Sequence, residues 1–420
     1  MTDRITDAIV TPIAFRDPPL LNASGIHQPW ALRTIVELRC GTDLVGLGET
    51  YGDAPHLALM RRAAAGLVGL DPFDLVDLHR RVGAAVGGAD APDRHGLTGA
   101  SSPQKSLLRV LSPFEVGCLD LQGHLTGRPV WALLGGKARD AVPFSAYLFY
   151  KWANHPGAEP DEWPEALDPA GIVAQAKRMI DRYGFRSIKL KGGVFAPEEE
   201  VAAVRALREA FPGYPLRLDP NAAWSPQTSV KVAAETDGLL EYLEDPTPTI
   251  AGMAAVAREA PMPLATNMCV VSFADIPPAF EQRAVGVVLS DHHYWGGLRL
   301  AQRLAGLCET YDVGLSMHSN SHLGISLAAM AHLGAATPNL TYAADTHTPW
   351  QCGVDVLVQP LSFVDGTVPV PDTPGLGVEL DRDTLARMHE DYERCGIRER
   401  DDAGYLRRFQ PDFEPVKPRW

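Results

Sequence analysis

From about residue 143 the chain alternates short apolar runs with longer stretches of helical periodicity. The runs read FSAYLF, SIKLK, LRLD, LEYLE, LATN, VGVVLS, GLSMH and LTYAAD. Each is too short for a helix and carries few polar positions, as expected of strands buried on both faces of a parallel sheet. Between most of them lie segments such as GIVAQAKRMIDRYG, PEEEVAAVRALREAF, LRLAQRLAGLCETY and LGISLAAMAHLGAA, whose spacing predicts helices. Eight strands at this pitch favour a closed α/β barrel over an open, doubly wound sheet. No GxGxxG follows the first strand, which weakens a dinucleotide-binding fold.

The flanks differ. Residues 1–135 predict a separate α+β unit. TPIAF, LRTIVELRC and LVGLGETYG read as strands, and helical patterns follow over 58–68, 72–86 and 105–125. The stretch GGADAPDRHGLTGASSPQ is rich in glycine, proline and serine and reads as a mobile loop. Residues 136–370 hold the barrel. Residues 371–420 carry a charged helix, DRDTLARMHEDYERCG, and a polar tail, which are expected to pack back on the first unit.

The apolar runs end in polar residues: Lys189 and Lys191, then Asp219, Glu244, Asn267, Asp291 and His318. In a parallel barrel those ends form the C-terminal mouth, where the chemistry sits. Lys189 and Lys191 flank one leucine and so share a strand face. Two ammonium groups confined together lower the pKa of at least one, which makes a usable base. KxK alone also describes an exposed strand edge. Asp219, Glu244 and Asn267 offer hard oxygen atoms from three successive strand ends, a set that suits magnesium or manganese better than zinc. A single acid there could equally be a helix N-cap. Asp291 and His318 end neighbouring strands, so the carboxylate can orient the imidazole. Asp291 could be structural instead, and His292 or His293 compete for the pairing. HSNSH is not the HExxH zinc motif, and His322 reads as helical and outside the site. The glycine pairs 192–193 and 296–297 read as tight strand-to-helix turns, not phosphate loops.

Composition narrows the classes. A formal charge of −14 argues against a nucleic-acid binder. Hydrophobic residues at 45% supply a sizeable core, and no 18-residue apolar run predicts a membrane span. Six scattered cysteines without CxxC spacing read as free thiols in a reducing, cytoplasmic setting. The first residues contain no signal-peptide core.

The chain resembles the enolase superfamily, and within it the glucarate dehydratases, nearly end to end. The pieces that carry the resemblance are PPLLNASGIHQPWALRTIVEL, AYLFY, YGFRSIKLKGGV, LDPNAAW, ATNM, HSNSH, ADTHTPWQ and RDDA. The resemblance implies a modified (β/α)7β TIM barrel under an α+β capping domain. It implies a magnesium enzyme that dehydrates a six-carbon aldaric acid such as D-glucarate to a 4-deoxy-5-keto acid. Lys191 takes the role of one base, supported by Lys189. His318, paired with Asp291, takes the role of the opposite base and of the acid for the leaving hydroxyl. Substrate contacts fall on His27, Tyr147, Phe149, Asn221, Ser319, Asn320, His347 and Arg400. One departure stands out: the family has a longer loop after EDP with a further glutamate as metal ligand. Here EDPTPTIAGMAAV has no acid between Asp245 and Glu259. The middle ligand is therefore placed at Glu244, with Asp245 the alternative. Epimerisation of the same acids needs the same two bases and stays open, as does a metal-binding member without activity. The expected partners are a small-molecule acid sugar and further copies of the chain in a homo-oligomer, with no nucleic acid and no membrane.

Overall fold

The computed structural model describes residues 4–41, 43–90 and 101–420. The centre of the glycine- and serine-rich stretch predicted as a loop, residues 91–100, lies outside the described residues.

The first unit is a three-stranded antiparallel sheet, Ile5–Arg16, Trp30–Cys40 and Leu44–Tyr51 in that order. Three helices pack with it: Ala54–Ala65, Leu75–Val86 and Pro103–Thr126. The starts of the second and third differ by a few residues from the periodicity because caps set them. The Asp74 carboxylate accepts from the Asp77 N–H and starts the second helix; Ser102 accepts from the Lys105 N–H and starts the third.

In LVGLGETY the strand period of two puts Gly46 and Gly48 on one face and Leu47 and Glu49 on the other. The glycine face meets the helix Pro103–Thr126 backbone to backbone. A Cβ on Gly48 would lie 2.1 Å from the Pro113 carbonyl oxygen, and one on Gly46 2.1 Å from that of Gly117. The opposite face carries Glu49 and, from the next strand, Arg33 toward the barrel. Gly48→Ala is expected to destabilise the protein by about 1–3 kcal/mol through overpacking. A denaturation midpoint equal to that of the parent would refute the close approach.

The second unit is a curled parallel sheet in which neighbours follow chain order. Its seven strands are Ala146–Phe149, Ile188–Lys191, Leu216–Asp219, Tyr242–Glu244, Leu264–Thr266, Val287–Ser290 and Gly314–Met317. The eighth predicted run, LTYAAD, is not a regular strand, yet it joins the two edges. Tyr342 and Asp345 donate backbone N–H groups to Leu315 and Met317, while the Ser145 N–H donates to Ala344. The ring of the α/β barrel is closed through that segment.

The last part of the chain returns to the first unit. Helix Arg382–Cys395 lies against strand Ile5–Arg16, with His389 Nδ1 2.7 Å from the Pro12 carbonyl oxygen. Asn22 donates to the Asp402 carboxylate at 3.0 Å across 380 positions of sequence. The Arg419 and Trp420 N–H groups donate to the Ala223 carbonyl, on the loop after the third barrel strand. None of the six cysteines is in a disulfide. No helix among the described residues is long and apolar enough to cross a membrane.

Candidate active site

The strand ends meet as register requires. Lys191 pairs with Asp219 and Phe149 in neighbouring strands, and Lys189 with Arg217 and Tyr147. Both lysines therefore point into the barrel, at different depths.

Lys191 Nζ donates to Asp219 Oδ2 at 2.7 Å and to Asn221 Oδ1 at 2.8 Å. Asn221 holds its position through a left-handed backbone, φ 56°, closed by its N–H to Asp219 Oδ1. Such a conformation at a strand end is the strain that functional sites store.

Lys189, fully buried, lies between Glu244 Oε1 and Asp345 Oδ2, both at 2.7 Å, with Asp219 Oδ2 at 3.4 Å. Burial works against its charge, but Asp345 and Glu244 outweigh burial and hold the ammonium well above the usual lysine range. The like-charge argument thus fails for Lys189: three carboxylates sit closer to its charge balance than the second lysine does. Asp345, absent from the sequence-based set, ends the apolar run LTYAAD. It shows the same signal of a polar residue closing a strand that located the others.

Glu244 carries a second tension. Burial and the neighbouring Asp219 carboxylate push it well above the usual range. Its Oε2 atom is buried without a hydrogen-bond partner among the described residues. Asp245 differs: Oδ1 accepts from Thr266 Oγ1 at 2.6 Å and Oδ2 from the Asn267 N–H at 2.8 Å, and burial pushes it up to about 7. Asp245 therefore braces the fifth barrel strand, while Glu244 keeps an oxygen to offer. Asn267 is buried at the end of that strand. Two carboxylates and an amide from successive strand ends form a hard-oxygen set, and an unpartnered buried carboxylate oxygen beside another carboxylate fits a divalent cation of the magnesium type.

Asp291 joins the other wall. Its Oδ2 lies 3.0 Å from His318 Nδ1, and its Oδ1 2.7 Å from His293 Nδ1. Burial raises the Asp291 carboxyl, but the two imidazoles outweigh it and hold the group well below the usual carboxylate range. His322 is not helical. It lies in the turn before helix Gly324–Ala335, buried, with its ring 6.1 Å from that of His293.

One cavity, about 320 Å³ of space between atoms, collects the rest. Lys191 and His318 line it together with His27, Tyr147, Phe149, Asn221, Ser319, Asn320, His347 and Arg400. Asn22 lines it too and was not expected. Lys189, Asp219, Glu244, Asn267 and Asp291 are not in that lining; Asp219 and Asp291 reach it through Lys191 and His318. His27 is set by Asp17 at 3.0 Å and His347 by Ser319 Oγ at 3.1 Å. Burial holds the His347 ring well below its ordinary value, so it is a neutral donor or acceptor. Arg400 forms an enclosed ion pair. Its side chain is 13% exposed, and it donates to the buried Asp402 from Nη2 at 2.7 Å and reaches Asn320 Oδ1 at 3.4 Å. The turn at the glycine pair 192–193 is held on an internal carboxyl. The Gly193, Val194 and Phe195 N–H groups all donate to Glu200 at 2.8–3.1 Å.

Comparison with known proteins shows the family. Residues 171–384 match the family described as Enolase C-terminal domain-like. A probable glucarate dehydratase of Streptomyces coelicolor is 54% identical over 433 aligned positions, which span 99% of both chains. An enolase from Thermobispora bispora, crystallised with magnesium and formate, is 64% identical and superposes with a TM-score of 0.98 over 99% of this chain and 100% of its own. An enolase from Pseudomonas fluorescens with bound magnesium, potassium and tartrate is 52% identical, with a TM-score of 0.96 over 99% of each chain.

Proposed function

The chain belongs to the enolase C-terminal domain-like family, and we propose that it is a magnesium-dependent dehydratase of a six-carbon dicarboxylic sugar acid, glucarate or a close diastereomer. The observation that carries this reading is the pairing of Lys191 and His318 on one cavity with a buried hard-oxygen set beneath it.

Asp219, Glu244 and Asn267 would hold the ion. Bound there, magnesium supplies Lewis-acid stabilisation of a substrate carboxylate, which makes the adjacent C–H more acidic. Lys191 takes that proton from one face of the carbon, and His318 serves the other face. Lys189, kept charged by its carboxylates, steadies negative charge as it develops on the substrate. His318, held by Asp291 through Nδ1, gives a proton to the departing β-hydroxyl, and the enol product relaxes to a keto acid. At the far end of the cavity Arg400 and His27 bind the distal carboxylate, Arg400 as a cation whose Nε–Nη2 edge is held on Asp402. His27 comes from the capping unit and Arg400 from the returning tail, so both must be seated for water to be excluded.

A panel of hexarates, hexonates and pentonates, incubated with magnesium and scored for keto acids, tests the proposal. One hexarate is expected to be dehydrated fastest, chelation to abolish turnover, and added magnesium to restore it. Full activity in metal-free buffer would refute the metal assignment. Monocarboxylates turning over as well as every dicarboxylate would refute the distal-carboxylate contact, and inverted acid without water loss would make the protein an epimerase.

A further inference from the structure

Behind His318 lies a buried chain of polar groups that the proposed reaction does not use directly. Asp291 caps the short helix His292–Trp295 by accepting from the His293 N–H at 2.9 Å. The same carboxylate oxygen meets His293 Nδ1. The other ring nitrogen, His293 Nε2, lies 3.1 Å from Arg33 Nη2 and 2.9 Å from Ser326 Oγ. Arg33 Nε donates in turn to Glu49 Oε1 at 2.9 Å, and the two oxygens of Glu49 accept from the N–H groups of Leu323 and Ser326. Every side chain in this chain is at most 5% exposed.

The donors fix the tautomer. A guanidinium can only donate, so the nitrogen facing Arg33 must present its lone pair. The ring proton of His293 is therefore on Nδ1, donated to Asp291. A further proton on Nε2 would point at the guanidinium and add a second positive charge beside it.

We propose that Arg33 and His293 are positioning residues: Arg33 locks the His293 ring with its Nδ1–H on Asp291 Oδ1, which leaves Asp291 Oδ2 to His318. The capping unit then does more than cover the barrel: through Arg33 and Glu49 it decides which of two histidines on one carboxylate can take the proton. The surroundings agree. The rings of His292 and His322 lie 3.9 and 6.1 Å from His293, and burial pushes both down, His322 to about 3. Tyr51, at 5.6 Å, is the remaining ring in contact among those described. Around His293 the charged groups are thus Asp291, Arg33 and Glu49.

The spectroscopic test needs no substrate and stands whatever the protein acts on; only the kinetic test rests on the reading of His318 as acid and base. In ring-nitrogen NMR spectra of the labelled full chain, assigned by loss of signals in His293→Asn, His293 is expected to show the Nδ1–H tautomer. An Nε2–H tautomer, or protons on both ring nitrogens, would overturn the proposal. In kinetics, His293→Phe removes the donor to Asp291, while His293→Asn restores an N–H near the Nδ1 position. The first is expected to lower kcat about 10²-fold with KM little changed and to shift the pH profile by about one unit, and the second to recover most of both. Equal loss in both variants with an unmoved pH profile would reduce His293 to a packing residue. Arg33→Lys keeps a cation for Glu49 and guards against a misfolded Arg33→Met; His293 is expected to lose the single Nδ1–H tautomer in either variant that folds, and a ring that keeps it in both would remove Arg33 from the lock.

Discussion

Replacing His318 by Asn is expected to reduce dehydration about 10³-fold, because the proton for the departing hydroxyl and one of the two bases are lost together. Asn keeps a donor near the position from which Nδ1 meets Asp291 Oδ2 at 3.0 Å, so the fold and the cavity should survive. Lys191→Ala is the necessary companion. It should stop solvent exchange at the carbon next to the carboxylate for acids of one configuration, and His318→Asn should stop it for the other. Deuterium incorporation followed by NMR reads both. Two variants that each exchange and turn over near the parent rate would remove these residues from the reaction.

Lys189→Met is expected to have the second large effect, and on stability as much as on rate. Without the ammonium, Glu244, Asp345 and Asp219 remain as buried carboxylates, each fully enclosed. Breaking a buried ion pair from one side costs about 3–5 kcal/mol. If Asp219 and Glu244 hold a divalent ion, magnesium should return part of that loss, about 2.7 kcal/mol at a concentration 100 times its dissociation constant. Denaturation curves of parent and variant, with and without magnesium, give both numbers. A variant as stable as the parent without metal would mean that the carboxylates are neutral there and that Lys189 does not compensate them.

How far the sequence could be read depended on whether a residue's partner lay near in pattern or far in space. Strand ends are local: a short apolar run followed by a polar residue placed Lys191, Asp219, Glu244, Asn267, Asp291 and His318 on one barrel rim without any contact being known. The family resemblance then added His27, Tyr147, His347 and Arg400, which no periodicity marks. What stayed hidden was the layer that holds these groups. Asp17 behind His27, Asp402 behind Arg400 and Asp345 behind Lys189 are carboxylates whose role exists only once distant segments meet. The same holds for charge. KxK suggested two repelling lysines, but repulsion was outweighed at Lys189 by carboxylates from the third and fourth barrel strands and from Asp345. Arg33 illustrates the limit most clearly, since nothing in LRTIVELRC says that its guanidinium faces a histidine 260 positions later.

The hydrogen bond from Asn22 to Asp402 also orders events in time. A chain is made from its first residue onward and folds as it emerges. The strands bearing Lys191 and His318 are therefore available before Arg400 and Asp402 have been added. A growing chain can assemble the half of the site that moves protons, while the half that grips the far end of the acid does not yet exist. Helix Arg382–Cys395, which covers strand Ile5–Arg16, is missing over the same interval. During synthesis, then, the event that completes the pocket is not closure of the barrel but the arrival of residue 402, when a segment made after the barrel is tied to one made before it.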